Sequence, residues 1–125
     1  MSQYAQHAHQ ELLAAINAFS QEQSDNYTTT INHAMNAVQS FLPLLTNHDT
    51  AELPEQITLC LQHPLVEAHT ALTNLLSNLH IYYTQLYHPH DKIPQSKEAL
   101  LILSLCNDIL SQCIRLVEET PSQSM

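Results

Sequence analysis

"PLVEAHTALTNLLSNLHIYYTQLYHPHDKIP", residues 64–94, holds the most regular apolar stripe in the chain and the place where it stops. Leu65, Ala68, Leu72, Leu75, Leu79, Tyr82 and Leu86 follow at alternating steps of three and four, the spacing that puts side chains on one helical face. Such a heptad seam cannot be buried by one helix alone, so it predicts partner helices. Pro89 cannot continue the helix, and Pro94 suits the first turn of another. "HPHDKIP" therefore reads as the corner between two antiparallel helices.

The same rhythm returns on either side. Downstream, over 94–119, Ala99, Ile102, Cys106, Ile109, Cys113 and Leu116 form a stripe that Leu103, Leu110 and Val117 widen. Upstream, Ala5, Ala8, Leu12, Ala15 or Ile16, and Phe19 predict a helix over 3–23. After "SQEQSDN", where Ser24 or Asp25 can cap, Tyr27, Ile31, Ala34, Val38, Phe41 and Leu45 predict a second helix that Pro43 ends or kinks near Phe41. Between Leu45 and Pro64, Asp49 with Glu52 has capping-box spacing, and a short helix over 55–62 buries Ile57, Leu61 and Cys60. The expected fold is all-α: an antiparallel up-down four-helix bundle with a short extra helix before Pro64. It forms one helical domain over 1–125 with a frayed tail at about 120–125.

Composition supports helices. The chain has no glycine, so tight hairpin turns lack their usual residue. Twelve acidic residues face only Lys92, Lys97 and Arg115, for a net charge of -9. Three cations cannot neutralise a run of phosphates, which argues against nucleic acid and against attachment to an anionic membrane. The N-terminal "MSQYAQHAHQ" lacks a basic region followed by an apolar one, and the longest purely apolar run is "ALLIL", residues 99–103. Cys60, Cys106 and Cys113 show no CxxC spacing, as expected of reduced thiols in a cytoplasmic protein. On one helix Cys106 and Cys113 stand roughly 10.5 Å apart along the axis, too far to pair.

Candidate chemistry centres on histidines. His63 and Glu67 form HxxxE, the one-turn spacing that aims two ligands at a shared ion, and His88, His90 and Asp91 crowd the corner. A divalent metal or small ligand held by these five residues is the second functional reading. Hemerythrin-like bundles share the length and helix count, but their HxxxH and HxxxxD elements are lacking. "EAHTALTNLLSNLH", residues 67–80, resembles histidine-phosphotransfer domains, which implies phosphorylation of His69; no glycine or lysine stands near it. That is a third reading. His7, His9 and His33 read as surface residues.

No strand-turn-helix elbow exposes a nucleophile, and no glycine-rich loop cradles phosphate. Cys106 and Cys113, on the apolar stripe, read as small core residues. The chain is therefore expected not to be an enzyme and to need no cofactor. The first reading is a cytoplasmic protein-interaction module of the small acidic chaperone, adaptor or inhibitor type, binding another protein or a second copy of itself. Apolar residues beyond the seams, such as Leu13, Met35, Leu76, Ile81 and Leu101, supply surplus surface, and Tyr83 and Tyr87 lie beside core Tyr82. Leu76, Ile81, Tyr83 and Tyr87 are the candidate partner contacts. Protonating all nine histidines would bring the net charge to zero, so association is expected to rise as pH falls toward 5.2.

Overall fold

A computed structural model describes residues 3–21, 27–48, 51–88 and 91–118, and these are helical with no strand. The α-helices are α1 (Gln3–Gln21), α2 (Thr28–Phe41), α3 (Pro43–Thr46), α4 (Leu53–Leu61), α5 (Pro64–Glu67), α6 (Thr70–Ile81) and α7 (Ser96–Glu118). A π-helical segment, Tyr82–Leu86, continues α6. Helix α2 packs on α1 and α7, α7 also on α1 and α6, and α4 on α2 and α6. One apolar cluster draws on all of these helices except the single turn α3, which packs Leu44 and Leu45 against it.

Pro43 acts as the sequence predicts. Helix α2 closes at Phe41, where the Leu42 N–H still bonds the Val38 carbonyl, and Pro43 opens α3. Asn47, at φ 61°, takes the left-handed position after α3 that glycine usually fills, and its N–H caps the Pro43 carbonyl at 2.8 Å. The short helix before Pro64 is present as α4. Its Gln56 is fully buried, accepting from the Thr46 hydroxyl at 2.7 Å and donating to the His48 carbonyl, so the turn after α3 is tied to the core. Ser24, Asp25 and Asp49 lie outside the described residues.

The seam of 64–86 is corrected at both ends. No single helix runs from Pro64: the chain breaks at Ala68–His69, where His69 is extended (φ -112°, ψ 94°). The Thr73 hydroxyl donates to the Val66 carbonyl at 3.1 Å, helping to satisfy a group that the break releases from the helical ladder. In consequence Val66 is buried, Leu65 is half-buried, and Ala68 is exposed. At the other end the Tyr87 N–H bonds the Tyr82 carbonyl at 2.8 Å, an i to i+5 closure. The wider turn rotates the following residues, so half-buried Tyr87 takes the inward position and Leu86 is 63% exposed. Leu72, Leu76, Leu79 and Tyr82 form the buried centre.

Two further corrections concern surplus residues. Leu76 and Met35 are core residues, so Leu76 is withdrawn as a partner contact. Pro94 precedes α7 rather than opening it; it is buried, and its carbonyl accepts the Tyr27 N–H at 3.0 Å. This bond brings the start of α2 beside the start of α7. In α7, Ala99, Ile102, Cys106, Ile109, Leu110, Cys113 and Leu116 are all buried, with Leu103 and Val117 half-buried, as their period requires. Helix α7 also has the length and hydropathy, 1.6 over its most apolar 18 residues, to cross a membrane. An uninterrupted apolar run is too strict a test to detect that property.

Candidate functional site

The π-helical segment stands between two concavities. Tyr83 and Tyr87 face a small cleft of about 350 Å³ shared with Asn32, Met35, Asn36, Gln39 and Leu53. There the Tyr87 hydroxyl donates to Asn32 Oδ1 at 2.8 Å, holding the segment against α2. On the other side lies a groove of about 830 Å³ between the segment and the first turns of α7. Tyr82, Leu86, Ile93, Leu101 and Ile102 supply its apolar wall, and Asp91, Lys92, Lys97 and Glu98 its charged rim.

Tyr82 fixes the geometry of this groove. Its hydroxyl donates to Glu98 Oε2 at 2.5 Å, and its ring stacks on Tyr87 with centroids 5.5 Å apart. Burial, followed by the hydrogen bond to the Glu98 carboxylate, pushes the Tyr82 phenol well above its ordinary value, so it stays a neutral donor. Burial and the Glu98 charge raise Tyr87 as well. A π-turn locked to α7 in this way holds Leu86 outward, and such turns often accompany functional sites.

The metal candidates are not gathered. His63 caps α5, its Nδ1 accepting the Leu65 N–H at 3.2 Å, which leaves Nε2 as the protonated nitrogen of the neutral ring. Glu67 is exposed. His88 Nε2 lies 3.1 Å from the Gln85 carbonyl, and the His88 carbonyl accepts the N–H groups of Asp91 and Lys92, which builds the corner. His90 lies outside the described residues. Among the described residues no three His, Cys, Asp or Glu side chains converge as a metal site. His69 is exposed at the start of α6, with its carbonyl engaged by the Thr73 N–H. His33 is partly covered and reaches Glu11 Oε2 at 2.7 Å, pairing α2 with α1.

The thiols are inert at neutral pH. Burial pushes Cys60 from 9.0 up to about 12 and raises Cys106 and Cys113 further, with Cys60 adding to the shift at Cys113. Of the candidate partner contacts, Ile81 is 45% exposed, and Tyr83 and Tyr87 are half-buried around the smaller cleft.

Leu86, Ile93, Lys92 and Lys97 were not singled out as site residues from the sequence. The signal was there in part: two of the chain's three cations stand five residues apart beside the corner. Assigning Leu86 to the seam concealed the rest. Compared with known protein families, curated proteins and solved structures, the chain matches none.

Proposed function

We propose that this chain is a non-catalytic protein-interaction module whose docking surface is the groove between the π-helical segment and α7. One observation carries the reading. Of the seven exposed large hydrophobic side chains among the described residues, Ile81, Leu86, Ile93, Leu100 and Leu101 fall between positions 81 and 101, and three of them line the groove. Exposed apolar surface on a chain this polar is costly unless something covers it, and a cluster beside a built concavity marks where.

An antiparallel up-down four-helix bundle of α1, α2, α6 and α7, with α4 as the extra helix, is the arrangement proposed to carry the groove. The hydrogen bonds Tyr27 to Pro94 and Tyr87 to Asn32 support it, because they draw the starts of α2 and α7 and the end of the π-helical segment to one end. A cytoplasmic location is proposed with it, supported by three unpaired thiols and by the seven α7 residues that other helices cover. Membrane fractionation checks the location; recovery in the membrane pellet overturns it.

The experiment is affinity capture of the full chain from its native lysate, with bound proteins counted by mass spectrometry. The expected result is one partner at near-stoichiometric amount, lost from a variant carrying Leu86→Asp and Leu101→Asp. Capture that survives both substitutions places the docking surface elsewhere and overturns this reading.

A further inference from the structure

The groove is open, and its apolar wall of Leu86, Ile93 and Leu101 is more than half exposed at each residue. A small molecule seated there would leave much of this surface wet, whereas pockets for small ligands cover most of the ligand. Two more exposed apolar residues, Ile81 and Leu100, are the immediate sequence neighbours of groove residues Tyr82 and Leu101. The occupant is therefore a protein face.

Charge points to which protein. Residues 1–67 hold seven acidic residues and no lysine or arginine, and 108–125 hold three against Arg115. The stretch between them holds two of each sign, Asp91 and Glu98 against Lys92 and Lys97, and all four line the groove. The whole net charge of -9 thus lies outside 68–107, while every residue lining the groove lies inside it. Two copies of the chain repel each other least through this face.

A two-fold contact asks for more than neutrality, because the same patch stands on both sides and must complement itself. A rim of one sign would call for an oppositely charged partner, whereas a balanced rim matches its own copy. Among the described residues neither ammonium is ion-paired within the chain, and Glu98 uses Oε2 for the Tyr82 hydroxyl, which leaves Oε1 to the rim. The other exposed apolar pair, Leu13 and Ile16, stands on α1 within the acidic stretch. Pairing that face with the groove would be head-to-tail and open-ended.

We infer that the groove is the two-fold face of a homodimer, with Leu86, Ile93 and Leu101 packed across it and the lysines of each copy facing the carboxylates of the other. This rests on the proposed docking surface and names its occupant, so the partner captured from the native lysate is the untagged chain. Apolar contact supplies the affinity, and the rim sets the register.

Sedimentation velocity of the full chain at neutral pH, over a dilution series, tests this. The expected result is a dimer that dissociates on dilution, with no larger species, because a two-fold contact closes. Leu86→Asp with Leu101→Asp should weaken it by about a hundredfold or more, since each buried charge enters the contact twice. Lys92→Glu with Lys97→Glu should be monomeric alone, yet should pair with Asp91→Lys when the two variants are mixed. Circular dichroism checks that each variant remains folded. In the fully dissociated, dilute chain each copy stands alone, so these substitutions leave its unfolding unchanged.

A monomer at every concentration that still captures a different protein through Leu86 and Leu101 overturns the homodimer and leaves the groove as the docking surface. An open-ended series of oligomers, or charge variants that fail to pair on mixing, also overturns the homodimer alone. A dimer indifferent to the leucine substitutions, or a monomer that captures nothing, overturns both.

Discussion

The two halves of α7 share one period and differ in what surrounds them. From Cys106 to Leu116 the helix buries Cys106, Ile109, Leu110, Cys113 and Leu116, with Ile114 and Val117 packed at the margin. Over 96–105 it buries only Ala99 and Ile102 and leaves Leu100 and Leu101 in solvent, although this half is at least as rich in leucine. Periodicity decides which face of a helix is apolar, but the width of the buried stripe depends on how many neighbours reach it. Toward the C-terminus the neighbouring helices cover Cys113 and Leu116 almost completely; near the N-terminus the π-helical segment is tied to α7 through Tyr82 and Glu98, and a groove remains beside that bond.

The sharpest way to break this comparison is to remove the same kind of side chain from each half. Ile109→Ala should cost about 2–5 kcal/mol in urea unfolding, the range for deleting buried methyl groups, whereas Leu101→Ala should stay within about 0.5 kcal/mol. Similar losses at both sites would mean that the groove is closed in solution.

Alkaline pH comes next. The thiols of Cys60, Cys106 and Cys113 are held neutral by burial, with Cys60 near 12 against an ordinary 9.0. Unfolded thiols ionise first as pH rises, so the stabilisation is complete below pH 9.0 and declines above it, by up to about 1.4 kcal/mol per pH unit for each thiol. Urea unfolding from pH 8 to 10.5 should show this decline, and Cys106→Ala should make it shallower. A flat profile would mean that the tight half of α7 admits water.

Tyr82→Phe removes the bond that ties the π-helical segment to the open half at Glu98 and should cost about 0.5–1.5 kcal/mol. A loss as large as that of Ile109→Ala would mean that this one bond matters to the open half as much as core packing does to the other. The smallest expected effect is that of Leu86→Asp on stability, within about 0.5 kcal/mol, because the side chain is exposed; thermal unfolding beside the parent chain measures it.

Much of the helical content could be read from the sequence, because apolar spacing and proline position are local properties. The stripe of α7 from Ala99 to Leu116 was recovered residue for residue, as were the stop at Phe41 and the short helix before Pro64. The seam of 64–86 misled at Ala68 and Leu86, because a fixed rhythm assumes an unbroken α-helix. One interruption and one i to i+5 closure each moved the register away from it. Those shifts also changed the site. Leu86 passed from core to groove wall, and Leu76 from partner contact to core.

By itself the sequence determined that this chain folds as helices, where most of them start and stop, and that its cations are few and clustered. These follow from backbone propensity, spacing and composition, which each stretch carries with it. The tertiary structure decided which apolar residues are surplus, where the helical register slips, and that Lys92 and Lys97 border an uncovered hydrophobic groove. Burial is a property of neighbours brought together by folding, and no periodicity within one helix can count the helices that will arrive to cover it.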